Sequence, residues 1–343
     1  MRLFSFAILA LTAMSASAAP VSGDFVLKDF RYHTGEVGEL RQHYTTLGDA
    51  KNPAVLVLHG TNGTGSGMLN AAFGDALFGP GQPLDAAKYF IVLPDTIGAG
   101  KSSKPSDGPR QKFPRYNYDD MVAAQVRLLT EHLGVKHLRL VTGNSMGGML
   151  TWVWATAHPG FMDAALPLAS QPAAMASRNW MMRRLVIETI KADPAFQNGN
   201  YTAPPPSMKY ASAFFGVGTS GGTLGWQARA GTHAAADKAI DDMLAAPETA
   251  DANDVIYQFD AARDYDPAPK LDGVTAWVLA INSADDERNP PETRTTEQGV
   301  ARLKHGAYYL VPASAQTRGH GTTGNAALWR DQLAAWLPAV PKR

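Results

Sequence analysis

Cysteine is missing from all 343 positions of the chain. That excludes a thiol nucleophile, a thiolate zinc site, an iron–sulfur cluster and a disulfide framework. An excess of charge is missing too, since 31 Lys and Arg stand against 31 Asp and Glu. A balanced chain offers no electrostatic footprint for nucleic acid or for an anionic membrane surface, so neither is expected as a partner. No apolar run is long enough to span a bilayer, and stable membrane association is not expected. The spacings of metal-binding motifs are also absent, so the expected cofactor list is empty: no metal and no cofactor. Ile97 to Ser102 resembles half of a phosphate-binding loop. Asp95 occupies the place of its first glycine, and Pro105 with the polar run around it argues against the helix such a loop needs.

What remains is a chain that is 45% hydrophobic and 18% charged, ample for a large core. Residues 1–18 have the make-up of a cleaved signal peptide. Arg2 supplies the positive end, Leu3 to Leu11 the apolar run, and Ala16-Ser17-Ala18 the small-residue cleavage site. The expected localisation is therefore periplasmic or secreted. Continuous apolar runs at Ala54–Leu58, Tyr89–Leu93, Leu138–Thr142 and Ala164–Leu168 predict strands buried on both faces. Thr275–Ile281 and Ala307–Val311 predict two more, and Phe25–Tyr44 reads as strand and turn. Helical spacing marks Tyr118–Leu133, Met149–His158 and a terminal helix over Asn325–Leu337. Strands alternating with helices predict an α/β fold with a mostly parallel sheet. The alternation stops between Ser170 and Lys270, where helical pieces at Asn179–Ala192 and Ala236–Ala245 are separated by Pro204–Pro206 and a glycine-rich joint, Gly216–Gly225. This predicts one domain over 19–343, with a core of about 19–170 and 271–343 and a helical lid of about 171–270 inserted into it.

The chemistry is concentrated at Gly143-Asn144-Ser145-Met146-Gly147-Gly148-Met149. A serine flanked by glycines two residues away on each side, between a strand and a helix, makes a nucleophile elbow. The turn is so sharp that positions 143 and 147 must lack bulky side chains, and it aims a helix N-terminus at any oxyanion formed there. Serine needs an imidazole to take its proton and a carboxylate to hold that imidazole. Around such an elbow the partners follow in the order acid, then histidine, each just past a strand's C-terminal end. Of nine histidines, His320 satisfies this, whereas His305 precedes its strand and belongs at the opposite edge. Asp285, Asp286 and Glu287 compete as the acid. Asp286 is preferred because it lies four residues before Pro290; Asp285 remains the alternative. The oxyanion donors are expected to be the backbone amides of Met146 and of Thr61, in the glycine-rich loop His59–Gly65 that leaves the first buried strand. His59 reads as a brace for that loop. Trp180, Met181, Met182, Phe214, Phe215 and Trp226 are candidates for an apolar acyl pocket, of which one or two are expected to touch substrate.

Asp120-Met121-Val122 with Ala124-Gln125, the elbow, Lys191–Tyr201, Asp264-Tyr265-Asp266 and Pro290-Pro291 together resemble the homoserine O-acetyltransferase-like branch of the α/β-hydrolase superfamily. The resemblance implies an α/β-hydrolase fold with a helical lid, a serine that becomes acylated, and Ser145, Asp286 and His320 as the catalytic triad. It also departs from that branch, whose acyltransferases are cytoplasmic and use an acyl-coenzyme A donor with homoserine or serine as acceptor. Here Leu224–Arg229 is followed by Gly231–Ala236 without the branch's Thr-Tyr pair. With water as acceptor the same acyl-enzyme gives a carboxylesterase whose substrate is a small-molecule ester, with a lactone or amide as further options; acyl transfer is the alternative. The signal sequence predicts a mature N-terminus at Ala19. Intact mass of protein exported from a Gram-negative host checks this, and a retained Met1 in the exported material contradicts it.

Overall fold

The computed structural model describes residues 19–343, so the expected signal peptide lies outside the described residues. Eight strands form one sheet in the order β1-β2-β4-β3-β5-β6-β7-β8. They are β1 (Val21–Arg31), β2 (Val37–Leu47), β3 (Ala54–Leu58), β4 (Phe90–Pro94), β5 (Leu138–Asn144), β6 (Met162–Leu168), β7 (Trp277–Ser283) and β8 (Gly306–Val311). β1 and β2 are an antiparallel hairpin, β2 joins β4 antiparallel, and every pairing from β4 to β8 is parallel. The helices are α1 (Ala76–Phe78), α2 (Tyr118–Arg127), α3 (Met146–Ala157), α4 (Ser177–Lys191), α5 (Ser207–Thr219), α6 (Thr223–Arg229), α7 (His233–Ala245), α8 (Ala252–Asp260), α9 (Thr295–Ala301) and α10 (Arg330–Trp336).

β3 and β4 are apolar throughout, and β5 and β6 mostly so, because both faces of the sheet are covered. Leu56 and Leu58 pack into one core with residues of α2 and α3, while Val55 and Val57 pack into another with Leu77, Phe78, Trp329 and Leu333. α2 starts at a capping box: Asn117 Oδ1 accepts from the Asp120 amide at 3.0 Å and the Asp120 carboxylate accepts from the Asn117 amide at 3.1 Å. α3 is buried from Met146 to Ala155, with Trp152 and Trp154 wholly enclosed, which explains its lack of a polar face. Among the described residues no helix is long and apolar enough to cross a membrane.

Between β6 and β7 the chain leaves the sheet to form α4 to α8, with an apolar core of their own around Ile187, Ile190, Phe196, Met208, Ile256 and Phe259. Two sequence expectations change here and at the C-terminus. The glycine-rich stretch is not a joint at its start, because α5 runs through Gly216 and Gly218. Gly218 faces Met182, whose Cε would lie 2.1 Å from a Cβ placed there. The expected terminal helix over 325–337 is broken at Trp329, whose buried indole donates to the Thr323 carbonyl at 2.9 Å, and α10 begins only at Arg330.

The elbow glycines are fixed by close contact. A Cβ on Gly147 would lie 2.1 Å from the Leu58 carbonyl oxygen, and one on Gly143 would lie 2.5 Å from the backbone of Gly147. Gly147→Ala should therefore cost on the order of 3 kcal/mol, since neither the strand nor the helix can retreat. Chemical denaturation of the purified variant checks this; a stability within about 0.5 kcal/mol of the parent contradicts it.

Candidate active site

β5 ends at Asn144, α3 begins at Met146, and Ser145 makes the turn between them with φ 60° and ψ −111°. A side chain in that region costs about 1–3 kcal/mol, which surrounding structure must offset. The Ser145 amide donates to the Leu168 carbonyl at the end of β6 at 3.0 Å, and the Ser145 carbonyl accepts from Met149 at 2.9 Å. Gly148 lets the first turn of α3 settle onto Leu168, whose carbonyl oxygen would lie 2.2 Å from any Cβ there.

His320 comes from the 3₁₀ segment Gly319–Gly324 after β8, and Asp286 from the turn after β7. His320 Nε2 lies 2.7 Å from Ser145 Oγ, and its Nδ1 lies 2.8 Å from Asp286 Oδ2. Nδ1–H donating to the carboxylate leaves Nε2 with its lone pair toward the serine hydroxyl. Asp286 is buried and also accepts from the amides of Arg288 at 2.9 Å and Asn289 at 3.2 Å, and from Asn289 Nδ2 at 2.8 Å. Burial pushes its carboxyl up, but His320 and these donors together outweigh burial and hold it below the ordinary carboxylate range.

Asp285 turns away from His320. It accepts from Ser283 Oγ at 2.5 Å, Thr317 Oγ1 at 2.6 Å and the Gly319 amide at 3.3 Å, and so ties the histidine's loop to the β7 end. His305 lies at the other edge of the sheet, its ring stacked on Trp277 with centroids 4.5 Å apart.

Thr61 follows β3 beside the elbow: a Cβ on the neighbouring Gly60 would lie 3.6 Å from Ser145 Cβ. Among the described residues neither the Thr61 nor the Met146 amide has a protein acceptor, and the buried Thr61 hydroxyl has none either. His59 is wholly buried, donates from Nδ1 to the Gly60 carbonyl at 2.8 Å and accepts the Thr96 amide on Nε2 at 3.0 Å. Burial holds it below the ordinary imidazole range, so it braces the loop as a neutral ring. Asp95 accepts from the amides of Gly65 at 2.7 Å and Lys101 at 2.8 Å, and Ile97–Ser102 is a turn wrapped around that carboxylate.

The family described as the alpha/beta hydrolase fold matches residues 53–204, the segment from β3 through the elbow to the inserted helices. The structure of a homoserine O-acetyltransferase from Bacillus anthracis superimposes with a TM-score of 0.83, covering 94% of this chain and 99% of that one at 20% identity. The chain has the α/β-hydrolase fold. An acetylester hydrolase from Corynebacterium glutamicum shares the fold with a TM-score of 0.78, over 93% of this chain and 96% of that one at 21% identity. In sequence, a homoserine O-acetyltransferase of Nautilia profundicola is 33% identical over 177 residues, 46% of each chain. A probable acyltransferase of Methanothermobacter thermautotrophicus is 28% identical over 280 residues, 79% of this chain and 84% of that protein. An ethyl acetate hydrolase of Pseudomonas veronii is 36% identical over 157 residues, 44% of this chain and 43% of that protein. The first and last of these matches thus span less than half of the relative's length.

Two features of the site carried no mark in the sequence. Gln258 on α8 accepts the Asn62 amide at 2.8 Å and donates to the Gly98 carbonyl at 2.6 Å, so the inserted helices hold the loop that carries Thr61. Asn289 fixes the Asp286 carboxylate from the side opposite its backbone donors. Nothing local marks either residue; the first contact spans 196 positions. The apolar candidates also divide. Trp180, Met181, Met182 and Phe214 line an outer groove with Leu185 and Val217, and Met181 is 70% exposed. Of the six, Phe215 is the one in the inner cavity of about 290 Å³ that contains Thr61, Val186, Ile190 and Phe259.

The bond from His320 Nδ1 to Asp286 should appear as a strongly deshielded ring proton in the one-dimensional proton spectrum. It should vanish in Asp286→Asn and persist in Asp285→Asn. Loss in the second variant alone would reverse the assignment of the two carboxylates.

Proposed function

We propose that the protein is an exported serine esterase that forms an acyl-enzyme on Ser145 and passes the acyl group to water. The observation that carries this reading is the unbroken hydrogen-bonded chain from Ser145 through His320 to Asp286 at the mouth of an elbow. Ser145 Oγ attacks the ester carbonyl carbon while His320 Nε2 takes its proton. The carbonyl oxygen becomes an oxyanion held by the Thr61 and Met146 amides and by the N-terminal dipole of α3. Collapse breaks the bond to the alcohol oxygen, which leaves with the proton from Nε2. His320 then deprotonates a water, whose oxygen attacks the acyl carbon; the carboxylic acid departs and Ser145 recovers its proton. Asp286 holds the Nδ1–H tautomer throughout and stabilises the transient imidazolium. The likeness to an ethyl acetate hydrolase and an acetylester hydrolase supports water as the acceptor.

The likeness to homoserine O-acetyltransferases favours a second reading in which an alcohol takes the place of water. The two share every step up to the acyl-enzyme. The signal-like residues 1–18 favour water, because coenzyme A thioesters are not expected outside the cytoplasm.

With a chromogenic acetate or butyrate ester in plain buffer, the mature protein should turn over many times. His320→Ala should lose several orders of magnitude in kcat, Asp286→Asn roughly 10²- to 10⁴-fold, and Asp285→Asn much less. His305→Ala should stay within about threefold, its contribution being confined to stability. A rate in water that rises only when homoserine or serine is added, with the acylated amino acid as product, would favour the transferase; an unimpaired His320→Ala would remove both readings.

A further inference from the structure

Two arginines lie inside the molecule beside this site without an acidic partner. Arg183 on α4 is 0% exposed and Arg288, two residues after Asp286, is 3% exposed. Neighbouring arginines are paired at the surface, Arg184 with Glu188 at 3.0 Å and Arg178 with Glu287 at 3.7 Å. The buried two are not. Arg183 Nη1 and both Nε and Nη2 of Arg288 are enclosed with no hydrogen-bond partner among the described residues. The bond from Arg183 Nε to Asn179 Oδ1 at 3.2 Å is weak compensation. The carboxylate whose field reaches Arg288 is Asp286, and its two oxygens already accept four hydrogen bonds.

Aromatic rings hold the pair in place. The Arg288 guanidinium carbon lies 3.9 Å from the centroid of Phe215 and that of Arg183 lies 5.6 Å from Phe259. Those two rings meet edge to face at 4.7 Å. Both rings line the cavity that contains Thr61. Arg288 itself lines a second cavity of about 290 Å³ that reaches Met149, one turn into α3 from Ser145. Arg288 therefore stands in the wall of one chamber and against a ring that lines the other, while Arg183 is held against Phe259, a second ring of that other chamber.

An arginine cannot escape burial by shedding its proton as a lysine does. Burial, reinforced by the charge of Arg183, pushes Arg288 down to about 9, which still leaves it cationic at neutral pH. Two desolvated like charges, neither paired, cost stability. Ring stacking offsets part of that cost. What would complete the arrangement is a planar, bidentate anion, and the fork of a guanidinium matches a carboxylate. Resting on the esterase reading above, we propose that Arg288, with the charge of Arg183 beside it, binds a free carboxylate carried by the substrate, so that the preferred substrates are acidic esters. The carboxylate belongs either to the acyl part, as in a monoester of a dicarboxylic acid, or to the alcohol part, as in the acetate of a hydroxy acid.

The test compares kcat/KM of the mature protein on monoethyl esters of four- to six-carbon dicarboxylic acids, on acetates of short hydroxy acids, and on neutral esters of matched length. At least one acidic set should exceed its neutral match by about tenfold or more, which also tells the acyl side from the alcohol side. That preference should fall by about tenfold or more in Arg288→Met and in Arg183→Met. Succinate, glutarate or adipate should raise Tm of the parent protein more than equal concentrations of phosphate or sulfate do. Neutral esters hydrolysed as well as acidic ones, a preference retained in both variants, or equal stabilisation by inorganic anions would each overturn the proposal while leaving the esterase reading intact. If no ester of any class reacts, the esterase reading falls, and a missing dicarboxylate-induced rise in Tm overturns the anion site as well. The parent comparisons need no variant to fold.

Discussion

The contact on which the site depends is the one between the first turn of α3 and the ends of β3 and β6. Leu58 and Leu168 present their carbonyl oxygens where Gly147 and Gly148 would carry side chains. Because the helix can come that close, its N-terminus meets the sheet edge directly, and the single residue left to make the turn is Ser145. The serine pays with a left-handed backbone, and the fully buried Trp152 and Trp154 of the same helix supply the packing that holds it there. A hydroxyl raised toward His320 follows from that one approach.

The second level of the construction is electrostatic. Asp286 is kept ionised inside the protein by four donors, and this fixes which nitrogen of His320 carries the proton. Asp285, one residue earlier, spends its oxygens on Thr317 and Gly319 and fixes where the His320 loop sits. The inserted helices take part as well, since Gln258 holds Asn62, next to Thr61, while Phe215 and Phe259 carry the two buried arginines. The insertion is thus joined to the loop that carries Thr61 and to the loop that carries Asp286.

Much of this could be read from the residues. β3 to β8 were legible because parallel strands covered on both faces carry continuous apolar runs, and their ends shifted by only one or two residues. The elbow was legible because its glycines are dictated by local geometry. Asp286 could be preferred over Asp285 only on its spacing to Pro290, since successive residues of a turn point in different directions and the fold shows which one meets His320. Glycine misled at Gly216 and Gly218, which lie inside a helix, the second facing Met182, instead of ending one. Gln258, Arg183 and Arg288 carried no local signal, because what each does is defined by partners far away in the chain or across the cavity, and Asn289 holds Asp286 through a turn geometry that its residue type does not announce.

The central claim is that this geometry makes one hydroxyl of the chain a nucleophile. A fluorophosphonate probe, which reacts with activated serines, followed by peptide mapping of the mature protein, tests it most directly. The account predicts one adduct, on the peptide containing Ser145, formed in parallel with loss of ester turnover. An adduct on a different serine, or active protein that takes no adduct at all, would contradict it.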